Sequence, residues 1–67
     1  MSQRERVLIY LKTNGSITAL DAVKDLGIID LAGRVRDLRA MGHEIKSVPE
    51  TVKNRFGEPC RIVRYTL

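Results

Sequence analysis

Few side chains in this sequence can do covalent or metal chemistry. Cys60 is the one cysteine and His43 the one histidine, too far apart to make a metal-ligand pair of recognisable spacing. No glycine loop suited to cradling phosphates is present, and no local grouping of serine, histidine and carboxylate. His43 directly follows Gly42, where a cation near a helix end is mildly favourable, so it reads as a capping residue. Cys60 has no activating neighbour in sequence and reads as an ordinary thiol. The sequence therefore implies no catalysis, no metal and no cofactor.

What remains is cationic chemistry, and it is unevenly placed. Residues 1–30 carry four Lys or Arg and four Asp or Glu, whereas residues 31–67 carry eight against four, so the net charge of +4 belongs to the second half. A one-sided basic field draws polyanions and binds phosphates by releasing counterions. The same charges also serve ordinary solubility. Three of these cations, Arg34, Arg36 and Arg39, fall within one short helical pattern, and Lys53 and Arg55 flank a turn.

These residues need elements to position them, and 67 residues allow one small domain, 1–67, with one core. A chain of this size buries only about 60% of the surface its unfolded form exposes, which favours a binding module over a catalytic cleft. The composition, 43% hydrophobic and 30% charged, is that of a globular protein. No stretch has the length of a membrane span or the pattern of a signal peptide. The reading is a cytoplasmic protein with no membrane partner.

Ser2 followed by Glu5 is a capping-box pattern opening a helix over about Gln3 to Thr13, with Val7, Leu8, Tyr10 and Leu11 as its apolar stripe and Asn14-Gly15 as its stop. Gly15-Ser16-Ile17 is a brief extended piece. Thr18 with Asp21 caps a short second helix, on which Leu20, Val23 and Leu26 recur at helical spacing before Gly27. Glycine there can take the left-handed conformation and let Ile28 drop into the core. Asp30 caps a third helix with Leu31, Val35 and Leu38 inward, stopped at Gly42. Turning about 100° per residue, its opposite side carries Gly33, Arg36 and Ala40, with Ala32 and Arg39 on one shoulder and Asp37 on the other. Small residues beside arginines let a backbone approach a groove floor while guanidinium groups reach bases or phosphates. The same face also suits a merely solvated helix. Arg34, at the edge of the buried stripe, and Asp37 suit an ion pair or packing against helix one or the hairpin.

After Gly42 the pattern becomes extended. A three-residue loop, Arg55-Phe56-Gly57, places glycine at the left-handed position of a bulged type I turn. Asn54 then faces Glu58, Thr51 faces Arg61, Pro49 faces Val63, Ser47 faces Tyr65 and Ile45 faces Leu67. That register predicts a buried face of Ile45, Val63, Tyr65 and Leu67, with Cys60 off the core. Phe56 at the tip can enter a minor groove or meet a protein, but the expectation is that it folds back on its own hairpin.

The order helix, extended piece, helix, turn, helix, hairpin resembles the winged helix-turn-helix family, α+β (mainly α), with three helices followed by a two-stranded antiparallel wing. More narrowly, the chain resembles small phage and prophage proteins of that family. Their pattern reads LGI, a spacer, L-x-x-R-[IV]-x-D-L-R-x-x-G-x-x-I, then N-R-x-G. Leu31, Arg34, Val35, Asp37, Leu38, Arg39, Gly42, Ile45, Asn54, Arg55 and Gly57 occupy those places. The resemblance implies double-stranded DNA binding by a transcriptional regulator or an architectural, recombination directionality factor in the cytoplasm of a bacterial host, associated with the nucleoid. It implies contacts from Ala32, Gly33, Arg36, Arg39 and Ala40 on the third helix, Ser16 and Thr18 at the second helix start, and Lys53, Asn54 and Arg55 in the wing. Gly33 departs from helix preference by about 1 kcal/mol relative to alanine; either close approach to DNA offsets this or the helix is simply weak there. A homodimer or tandem binding would supply specificity. The alternative is a docking module that inhibits a host protein.

Overall fold

A computed structural model describes all 67 residues. Helix α1 spans Gln3–Asn14, its start held by the Ser2 hydroxyl, which accepts a hydrogen bond from the Glu5 N–H at 3.2 Å. Strand β1, Ser16–Thr18, leads into α2, Ala19–Asp21, which continues as a wider π-type turn over Ala22–Leu26. Helix α3 is Leu31–Ala40, and strands β2, Lys46–Lys53, and β3, Pro59–Thr66, complete the chain. No helix is long and apolar enough to cross a membrane.

The core is built from the helices, β1 and the segments that join the elements. Val7 and Leu11 of α1, Ile17 of β1, Ala22, Ile28, Leu31, Val35, Leu38 and Ile45 form one buried cluster, with Leu8, Tyr10, Leu26 and Tyr65 packed on its rim. Each fully buried aliphatic side chain contributes about 1.5–3 kcal/mol, so this single cluster holds α1, α3 and the base of the sheet together. Gly27, at φ 67°, makes the corner. Its N–H and that of Ile28 reach back to the carbonyls of Val23 (3.2 Å) and Ala22 (2.9 Å), which drives Ile28 into the core.

The second helix buries a different face from the one its apolar spacing suggests. Leu20 is 73% and Val23 50% exposed; of the expected stripe Leu26 alone packs against the core, and Ala22 is buried in place of the other two. The cause lies upstream: β1 pairs with β3, which turns Thr18 inward, and the position one helical turn later is Ala22.

The hairpin register is the one that the Gly57 turn requires. Ser47 lies opposite Tyr65, Pro49 opposite Val63 and Thr51 opposite Arg61, and Gly57 has φ 77°. The sheet has a third member, because the extended piece Ser16–Thr18 pairs antiparallel with Thr66–Arg64 to give the order β1-β3-β2. The expected buried face holds only in part. Ile45 is buried and Tyr65 half-buried, while Val63 and Leu67 are 42% and 48% exposed. Eight-residue strands reach about 27 Å, further than the helices extend, so the outer hairpin has water on both faces; the molecule is accordingly elongated, 38 × 21 × 20 Å. Phe56 does not fold back on the strands; it stands 79% exposed at the tip.

Candidate nucleic-acid interface

The start of α3 is built by Asp30, whose carboxylate accepts a hydrogen bond from the Gly33 N–H at 3.0 Å. Gly33 is buried beneath that carboxylate, and a Cβ at this position would collide with it. The expectation that Gly33 lies on the exposed face is therefore corrected: the glycine accommodates the cap, and no DNA contact is needed to account for it.

The exposed stripe of α3 is Ala32, Arg36, Arg39 and Ala40. Arg36 makes no hydrogen bond or ion pair with the rest of the chain. Arg39 is fully engaged. Its Nε and Nη2 donate to the Ile45 carbonyl at 3.0 and 2.7 Å, Nη2 donates to Ser47 Oγ at 2.8 Å, and the guanidinium lies 5.9 Å from the centre of the Tyr65 ring. Arg39 thus ties the end of α3 to the base of the hairpin. A signal for this exists in the sequence, since only a few residues separate the helix stop at Gly42 from Ile45, well within the reach of an arginine. Arg34 pairs with Asp37 at 3.3 Å and donates to Gln3 at 3.4 Å, which joins α3 to α1.

Ser16 and Thr18 are likewise occupied. Thr18 is 6% exposed, and its hydroxyl accepts from the Asp21 N–H while the Asp21 carboxylate accepts from the Thr18 N–H, a complete capping box. Ser16 Oγ accepts from Arg64 Nη1 at 3.1 Å. Arg64 also grips Glu50 across the hairpin, Nε to Oε2 at 2.7 Å and Nη2 to Oε1 at 3.3 Å. This pairing holds the Glu50 carboxyl below its ordinary range and raises the Arg64 guanidinium further above neutrality. The Tyr10 hydroxyl donates to Asp25 at 2.8 Å, and that bond, followed by desolvation, pushes the phenol up to about 12.

At the tip, Lys53 and Arg55 are exposed and unpaired, while the Asn54 side chain works locally. Its Oδ1 accepts from the Phe56 and Glu58 N–H groups at 2.9 and 3.0 Å, fixing the turn. Where β1 ends, the outer part of β3 has no neighbour on that side, and a groove of about 710 Å³ opens between it and the starts of α2 and α3. Ala32 lines this groove together with Leu20, Ile29, Val52, Arg61 and Ile62. Its carboxylates are already spent, Asp21 and Asp30 as caps and Glu50 on Arg64. Arg61 is its free cation. Sequence pattern alone does not single out Arg61, because a groove beside a strand edge depends on where β1 stops.

The structure thus brings an exposed helix stripe with one free arginine beside a projecting hairpin with two free cations at its tip, while Arg39, Ser16 and Thr18 hydrogen-bond within the chain and Gly33 lies under its cap. Three helices with a sheet whose last two strands project as a hairpin define a winged helix-turn-helix protein. A family model described as a winged helix-turn-helix domain matches residues 2–67, and the chain belongs to that family. Membership supports binding to DNA. No curated protein and no solved structure matches the chain.

Proposed function

We propose that this protein binds double-stranded DNA sequence-specifically, with α3 in the major groove and the wing on the adjacent backbone or minor groove. In this reading it is a phage or prophage type transcriptional regulator or architectural factor, acting at the nucleoid in a bacterial cytoplasm. The observation that carries it is where cations without partners lie in the second half of the chain: Arg36 on the exposed stripe of α3, Lys53 and Arg55 at the wing tip, and Lys46 and Arg61 along the wing strands. The other three cations of the same half, Arg34, Arg39 and Arg64, have partners within the chain, so its free charge lies on α3 and the wing. Ala32 and Ala40 keep the helix surface low beside Arg36, and the Asn54 side chain holds the tip in shape. One such module covers roughly 600–1,000 Å², so a dimer or tandem sites would supply useful specificity.

Duplex binding measured across a salt series tests this. Arg55→Ala is expected to weaken binding to all sequences alike and to reduce the salt slope by about one. Arg36→Ala is expected to narrow the gap between a selected sequence and random duplex. Absence of duplex binding even at low salt would refute the reading. One observation favours a second reading, docking on a protein: Leu20 and Ile29, 73% and 89% exposed, stand in an apolar groove. Substituting both with serine separates the two, since DNA binding through the free cations survives that change and protein docking does not.

A further inference from the structure

We propose that the wing tip is a wedge: Phe56 enters the minor groove of duplex DNA, unstacks a base step and kinks the helix. The proposal rests on the DNA-binding reading above and adds to it a mechanical activity of one residue.

A single exposed apolar side chain is ordinary on a protein surface. Phe56 differs in how it is held. The Asn54 N–H donates to the Glu58 carbonyl at 2.9 Å and the Gly57 N–H to the Asn54 carbonyl at 3.0 Å, while Asn54 Oδ1 takes the Phe56 and Glu58 N–H groups. Four hydrogen bonds and a left-handed Gly57 therefore fix a three-residue loop. The ring is presented outward on a rigid backbone, so little freedom is lost when it is seated. Lys53 and Arg55, both exposed and unpaired, flank it and can each neutralise a phosphate at the groove's edges.

Dimensions select the tip and the groove. The B-form minor groove is about 6 Å wide and 7.5 Å deep. Two strands about 4.8 Å apart, with side chains on both faces, are too wide to enter it, but the tip side chains fit. Base edges there are polar, so an apolar ring gains contact only by displacing a base step from its stack, and apolar wedges of this kind kink the duplex toward the major groove. Pyrimidine–purine steps, TA above all, unstack most easily.

The test uses the full chain and a duplex of about 30 base pairs carrying a fluorophore at each end and 2-aminopurine beside a central TA step. The wild-type protein is expected to shorten the end-to-end distance, by a bend within about 20–90°, and to raise the 2-aminopurine signal. Phe56→Ala is expected to bind with an unchanged salt slope, because no charge is lost, yet to abolish both signals. Phe56→Leu retains an apolar wedge and is expected to keep part of the bend. If Phe56→Ala bends DNA as the wild type does, or if the wild type binds without bending or unstacking, the wedge is overturned while DNA binding stands. If the wild type does not bind duplex at low salt, both readings fall together.

Discussion

Replacing Arg39 distinguishes an anchor from a DNA contact. The guanidinium makes two hydrogen bonds to one carbonyl and a third to Ser47, and stacks over Tyr65. Hydrogen bonds to charged groups contribute about 1.5–3 kcal/mol when shielded. Arg39 is exposed and its first two bonds share one acceptor, so solvent screening reduces the whole set to about 1.5 kcal/mol, to which an exposed cation–π contact adds about 0.5 kcal/mol. Arg39→Ala should therefore cost about 2 kcal/mol. At about 4–8 °C per kcal/mol for a domain of this size, the melting temperature should fall by roughly 8–16 °C. Arg39→Lys keeps the charge but loses the planar fork, and should show about half that loss. Thermal melts by circular dichroism give the magnitude, and amide exchange at Ile45 and Ser47 shows whether the base of the wing has loosened. A phosphate contact would behave in the opposite way, with Arg39→Ala leaving the melting temperature unchanged and lowering the salt slope of DNA binding by about one. That result would refute the anchor.

Two further predictions concern stability. Gly33→Ala gains about 1 kcal/mol of helix propensity but displaces the Asp30 cap, which costs about 0.5–2 kcal/mol, so it should be nearly neutral in the wild type. In an Asp30→Ala background the clash is absent and the same change should stabilise by about 1 kcal/mol; equal effects in both backgrounds would show that the cap does not explain the glycine. The carboxyl of Glu50 is held below its ordinary range by Arg64, so the stability it adds is fully present above about pH 4.3, the ordinary glutamate value, and is lost as pH falls through its lower folded value. Melting curves of the wild type and Glu50→Gln should therefore converge in acid and separate toward neutrality, and parallel curves across that range would contradict the pairing.

Local chemistry made much of the fold legible. Ser2, Thr18 and Asp30 are caps because their side chains bond backbone groups three residues away. The hairpin register follows from one glycine, because a three-residue turn with a left-handed third position leaves one alignment of the strands. The inward faces of α1 and α3 follow from helical spacing. None of these requires knowledge of what lies across the molecule.

The remainder was decided in three dimensions. Leu20 and Val23 have helical spacing, but the pairing of β1 with β3 sets which way Thr18 points and so turns Ala22 inward in their place. Val63 continues the apolar alternation of β3, yet burial needs a covering layer, and the helices end before the hairpin does. Gly33 and Arg39 match the types that suit a groove-reading helix, and only the fold shows that each also meets a neighbour within the chain, the Asp30 carboxylate above one and the Ile45 carbonyl beside the other. Residue type and spacing determined which side chains suit a polyanion; tertiary structure decided which of them have a partner within the chain, because a polar group near an internal partner is already satisfied and one carried beyond the body of the fold is not.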